Sequence, residues 1–124
     1  MTPVKAFIVD DEPDACQLLQ DFLNDYTLIG SSQIFSDALQ ALDAAIMESP
    51  DVIFLDIDMP EMTGMEFLKQ LNNYSPKTKV VFVSAHQQYA LEAIQNNAFD
   101  FITKPVDKKE LRRVLHGIIA ATST

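Results

Sequence analysis

Asp10 and Asp11 follow the apolar run Ala6–Val9, Asp56 follows Val52–Leu55, Ser84 follows Val80–Val83, and Lys104-Pro105 follows Phe99–Thr103. Carboxylates, a hydroxyl and an ammonium thus stand where short β-branched and aromatic runs stop. Such runs, separated by helical spacing, predict parallel strands. In an open parallel sheet the working site lies beyond the carboxyl ends of the strands, so these polar side chains should converge on one edge. Left bare, the acids would repel one another. A hard cation relieves that repulsion, and a set of oxygen ligands alone suits Mg2+, which takes a few carboxylates together with water and phosphate. The bland reading is that Asp10 or Asp11 merely caps a helix.

With a divalent ion nearby, a carboxylate can attack phosphorus and become an aspartyl phosphate. Such a transfer is mostly positioning and charge neutralisation. Lys104 would neutralise one side of the phosphoryl group and the Ser84 hydroxyl could donate to another oxygen. Pro105 restricts the backbone at Lys104, and a cis bond there is one way to aim the ammonium inward.

The elements that must position these groups read as βαβαβαβαβα. A helix is expected over Pro13–Tyr26, with Ala15, Leu18, Leu19, Phe22, Leu23 and Tyr26 as its stripe. Leu28–Phe35, interrupted by Gly30-Ser31-Ser32, reads as an edge strand. Ser36 is the expected N-cap of a second helix that turns Leu39, Leu42 and Ile46 inward. Val52–Leu55 and Val80–Val83 are apolar throughout, as for strands buried on both faces. Asp58–Gly64 is a loop, followed by a helix carrying Met65, Leu68 and Leu71 and ending at Asn72-Asn73. A short helix over Gln88–Asn96 shows Ala90, Leu91 and Ile94 as its thin stripe. Asp107 and Glu110 form an expected capping box for a last helix carrying Leu111, Val114, Leu115, Ile118 and Ile119. Residues 120–124 are small and polar, and 119–124 read as a frayed end or the start of a linker. Right-handed crossovers then give a flavodoxin-like (βα)5 doubly wound parallel sheet, α/β in class, with strand order 2-1-3-4-5 and one domain over residues 1–124.

The chain has 124 residues, enough for one packed domain, and 48% hydrophobic content, which argues against disorder. No apolar run approaches a membrane span, and the N-terminus lacks a signal-peptide core. One cysteine, Cys16, excludes an intrachain disulfide and fits a reducing cytoplasm. A net charge of −9 opposes direct binding to a phosphate backbone. Lys108, Lys109, Arg112 and Arg113 are the only dense basic group, suited to steering an acidic partner or a second copy.

The set Asp10-Asp11, Phe54-Leu55-Asp56-Ile57-Asp58-Met59-Pro60, Ser84-Ala85 and Lys104-Pro105 resembles the motifs of response-regulator receiver domains in two-component signalling. The resemblance covers Lys5 to about Ile119. It implies that Asp56 accepts a phosphoryl group from a phosphohistidine on a sensor histidine kinase, and that the chain catalyses only its own phosphorylation and dephosphorylation. It also implies that Asp11, Asp56 and the Asp58 backbone carbonyl hold Mg2+, with Asp10 reaching the ion through water. Lys104 and Ser84 would bind phosphoryl oxygens, and Ser84 and Phe101 would switch. Phe101 stands where many relatives carry Tyr, so switching here would rest on ring packing. Asp58 and His86, two residues beyond Asp56 and Ser84, occupy positions that affect phosphoryl lifetime, although His86 could equally be a surface loop residue. The stretch Asn97–Pro105 is similar to receivers joined to LytTR-type DNA-binding domains. An output domain beyond Thr124 and a homodimer through the fourth helix, fifth strand and fifth helix follow as expectations. One rival resemblance is to haloacid-dehalogenase-like phosphatases, through Asp56-Ile57-Asp58. That family carries its Asp-x-Asp on the first strand, whereas here it follows the third.

Overall fold

In the computed structural model, which describes residues 3–122, five strands and five helices alternate along the chain. They are β1 (Val4–Val9), α1 (Pro13–Leu23), β2 (Ile29–Phe35), α2 (Ala38–Glu48), β3 (Val52–Asp56), α3 (Gly64–Tyr74), β4 (Lys79–Ser84), α4 (Ala90–Gln95), β5 (Asp100–Thr103) and α5 (Lys108–Thr122), with a short 3-10 turn over Gln87–Tyr89 before α4. The strands are all parallel and lie in the order β2-β1-β3-β4-β5, the flavodoxin-like arrangement predicted.

Because successive strand side chains point to opposite faces, each central strand feeds two cores. Phe7, Val9, Ile53, Leu55, Val80 and Phe82 pack with α2, α3 and Ala93 of α4. Ala6, Ile8, Val52, Phe54, Val81 and Val83 pack with α1 and α5. β3 is buried at all five positions, which is why it reads as an unbroken apolar run.

Register brings the site together. Val9 pairs with Leu55, so Asp10 and Asp56 are the next residues on adjacent strands. Asp56 pairs with Val83, and Ser84 pairs with Thr103, one residue before Lys104. The Lys104–Pro105 bond is cis.

Several local expectations change. The N-cap of α2 is Asp37, not Ser36, and its carboxylate accepts the N–H groups of Leu39 and Gln40 at 2.8 and 3.2 Å. Ala38, Ala41, Leu42 and Ala45 face the sheet, while Leu39 is half exposed. In α4 only Ala93 is buried, and Leu91 and Ile94 stand 69% and 51% exposed rather than inward. α1 stops at Leu23 and α3 runs on to Tyr74. In α5, Asp107 accepts the Lys109 N–H at 2.6 Å, but Glu110 turns to Arg113 instead of closing a capping box. The expected frayed tail is helical through Thr122, and residues 123–124 lie outside the described residues.

Candidate functional site

Asp56 ends β3 with its side chain in the sheet edge, 5% exposed, and Asp10 beside it is 6% exposed. Each is oriented by the backbone two residues on. The Glu12 N–H donates to Asp10 Oδ1 at 2.9 Å and the Asp58 N–H to Asp56 Oδ1 at 3.1 Å. Asp10 therefore organises its own turn rather than capping α1, whose N-cap is Glu12 and makes no side-chain cap bond.

Lys104 reaches into this pair from the end of β5. Its Nζ lies 2.9 Å from Asp10 Oδ2, 3.6 Å from Asp56 Oδ2 and 3.6 Å from Glu12 Oε1. Burial alone would lower the lysine's pKa. The hydrogen bond to Asp10 and the charges of Asp56, Asp10 and Glu12 outweigh it and hold the group above its ordinary value. For Asp56 the balance runs the other way. Burial, helped by neighbouring Asp10, pushes its carboxyl up to about 6, against the opposing pull of the Asp58 N–H and Lys104.

Ser84 is buried at the end of β4, and its Oγ accepts the His86 N–H at 3.0 Å, which leaves the hydroxyl hydrogen free to donate. At the mouth, His86 Nε2 lies 3.6 Å from Asp58 Oδ2, both side chains about half exposed. Phe101 is half-buried two positions before the last residue of β5, opposite Phe82 and against the core of the α2–α3–α4 face.

Carboxylate oxygens of Asp10, Asp11, Glu12 and Asp56 all lie within 4.8 Å of one another. Four hard oxygen donors, two of them exposed to water, and no sulfur or imidazole among them, fit a Mg2+ ion that keeps part of its hydration shell. Sequence reasoning missed Glu12. The signal is a third consecutive acid after Asp10-Asp11. The Asp58 side chain is not part of this cluster and belongs instead to the His86 pair.

An apolar groove of about 360 Å3 opens onto Asp56, walled by Ala15, Leu18 and Leu19 of α1 and by Pro105 and Val106. No helix among the described residues is long and apolar enough to cross a membrane.

Comparison with known proteins agrees with the fold. The chain is 42% identical over 123 residues to an uncharacterized response regulatory protein of Vibrio vulnificus, covering 95% of this chain and 48% of that protein. It is 37% identical over 112 residues to the transcriptional regulatory protein BtsR of Escherichia coli, covering 90% of this chain and 46% of BtsR. The chain thus spans about half the length of these relatives. Among solved structures, the chemotaxis protein CheY4 of Vibrio cholerae superposes with a TM-score of 0.82 at 26% identity, covering 94% of this chain and 99% of CheY4. Residues 6–116 match the response regulator receiver domain, and the chain belongs to that family.

Proposed function

We propose that Asp56 is the phosphoryl acceptor of this receiver, loaded from a phosphohistidine on a sensor histidine kinase. The observation that carries the reading is a buried carboxylate at a strand end, set between a second carboxylate and one inward-pointing ammonium. With its pKa near 6, Asp56 is mostly ionised at neutral pH and is able to attack. An Asp56 oxygen bonds to phosphorus as the phosphorus–nitrogen bond breaks, and the departing imidazole takes up a proton. Lys104 faces the incoming phosphoryl oxygens, and Ser84 donates its hydroxyl to one of them. Mg2+ held by Asp10, Asp11 and Asp56 supplies charge neutralisation to the transferring group when bound. Glu12 is a candidate for a further contact, direct or through water.

The chain acts on no separate substrate in this reading. Phosphorylation draws Ser84 toward the phosphoryl group and lets Phe101 turn inward, changing the face formed by α4, β5 and α5. That face serves a second copy or an output domain outside this chain. The transcriptional regulator among the relatives favours a DNA-binding output, while the −9 charge argues against DNA binding by these residues themselves. Asp58 and His86 bracket the path of attacking water and set how long the phosphoryl group lasts. A cytoplasmic location, beside the phosphohistidine of the kinase, belongs to this reading.

Incubation with acetyl phosphate and Mg2+ should add one phosphoryl group by intact mass, labile to hydroxylamine and blocked by chelation. Unchanged labelling of Asp56→Asn would remove Asp56 from the role.

A further inference from the structure

Asp100, the first residue of β5, is tied to α5 by a bracket that the proposed site chemistry leaves unused. Arg113 NH1 donates to Asp100 Oδ2 at 2.7 Å and NH2 to Asp100 Oδ1 at 3.2 Å. The same guanidinium gives Nε and NH2 to Glu110 Oε2 at 3.1 and 2.8 Å. Asp100 Oδ1 also accepts the backbone N–H of Phe101 at 2.8 Å. One carboxylate thus holds the backbone of Phe101 on one side and α5 on the other. A fork that makes four hydrogen bonds to two carboxylates fixes direction as well as distance, which a lysine could not do.

The opposite wall of Phe101 is built differently. A groove of about 390 Å3 separates α4 from β5 and α5, with Ala90 and Ile94 on one side, Arg113 and Glu110 on the other, and Phe101 between them. α4 has six residues, buries only Ala93, and sends no side-chain hydrogen bond to β5 among the described residues. It joins the strand through the backbone turn at Asn97, whose φ of 69° is left-handed.

We infer that Arg113 is a positioning residue that makes α5 follow Phe101 when the receiver is phosphorylated. The inference rests on the switching role proposed for Phe101. Movement of the Phe101 backbone displaces the Asp100 carboxylate, and the two-pronged bond passes that displacement to the second turn of α5. Arg113 and Glu110 are half exposed and Asp100 about a quarter, so the bracket contributes little to stability and its loss should leave the fold intact.

The test is backbone amide NMR with beryllofluoride and Mg2+ on the parent, Arg113→Gln, Arg113→Lys, Asp100→Asn and the Arg113→Gln/Asp100→Asn double variant. In the parent, Phe101 and the amides of Glu110–Val114 should shift together. In Arg113→Gln, Phe101 should still shift while the α5 response falls at least twofold, with Tm little changed. Arg113→Lys should recover less than half of the lost response, and the double variant should lose no more than either single change. An α5 response equal to the parent's in Arg113→Gln would overturn the inference. So would a parent in which Phe101 does not respond, and intact mass after acetyl phosphate would show separately whether Asp56 is still an acceptor.

Discussion

Asp56 stands in an environment that suits its proposed role as phosphoryl acceptor and opposes the stability of the fold. Its carboxyl titrates near 3.8 when free in solution and near 6 in the fold, chiefly because burial penalises the charge. Between those values the folded protein holds more of the proton than the unfolded chain does. Stability therefore falls as pH rises from about 4 to about 6, and the full cost persists at neutral pH. Asp56→Asn removes the charge and keeps the shape. Without metal at neutral pH its Tm should exceed the parent's by roughly 4 °C or more, corresponding to about 1 kcal/mol. The gap should shrink near pH 4, where the parent is protonated too, and should narrow when Mg2+ is added to the parent. Equal melting temperatures at neutral pH would show that Lys104 already compensates the charge. The same residue-scale view explains why the acids were legible and Glu12 was not. Asp10 and Asp56 announce themselves by following apolar runs, whereas Glu12 acquires its place only through the turn that Asp10 organises with it.

Among the elements, α3 shows how tightly the site loop is held. Thr63 caps the helix by accepting the Glu66 N–H at 3.2 Å, and the Gly64 N–H donates to the Ile57 carbonyl at 3.0 Å. A Cβ at Gly64 would lie 2.7 Å from the buried Phe82 ring and 3.0 Å from the Ile57 backbone. Neither neighbour is a flexible side-chain end. Gly64→Ala should therefore destabilise by about 1–2 kcal/mol, overriding alanine's better helix propensity, and lower Tm by roughly 4–8 °C. A Tm at or above the parent's would mean that Phe82 can swing away. Strands proved more legible than helices, for a physical reason. A strand buried on both faces needs apolar residues everywhere, so Val52–Leu55 and Val80–Val83 could hardly be misplaced. A helix needs only one stripe, and which stripe faces inward is settled by how closely the helix packs on the sheet. In α2 the small residues Ala38, Ala41 and Ala45 take the inward stripe with Leu42 and leave Leu39 outside, and α4 is too short for spacing to decide between Ala93 and its neighbours Leu91 and Ile94. Glu110 and Arg113 were visible at helical spacing. Their bond to Asp100 depended on how α5 lies across β5, which spacing does not reveal.

For the molecule as a whole, two cores share one sheet, and the site sits where both end. Helices α2 and α3 cover one face and α1 and α5 the other, so either layer could loosen without the other. Cys16 lies in the α1–α5 layer, fully enclosed, with its Sγ donating to the Asp10 carbonyl at 3.3 Å. Burial, aided by the charge of Asp10, pushes its thiol up to about 11, so at mildly alkaline pH little thiolate exists even before access is considered. The protein thereby carries a chemical stopwatch for the lifting of a single helix. An alkylating reagent such as iodoacetamide should modify the folded chain at least a hundredfold more slowly than the urea-unfolded chain, with the rate set by how often α1 departs from the sheet. Mg2+ should slow that clock further, because an ion held by Asp10, Asp11 and Asp56 would fasten the base of α1 to β3. A labelling rate indifferent to Mg2+ would mean that the thiol is exposed by an opening that leaves the acidic cluster intact.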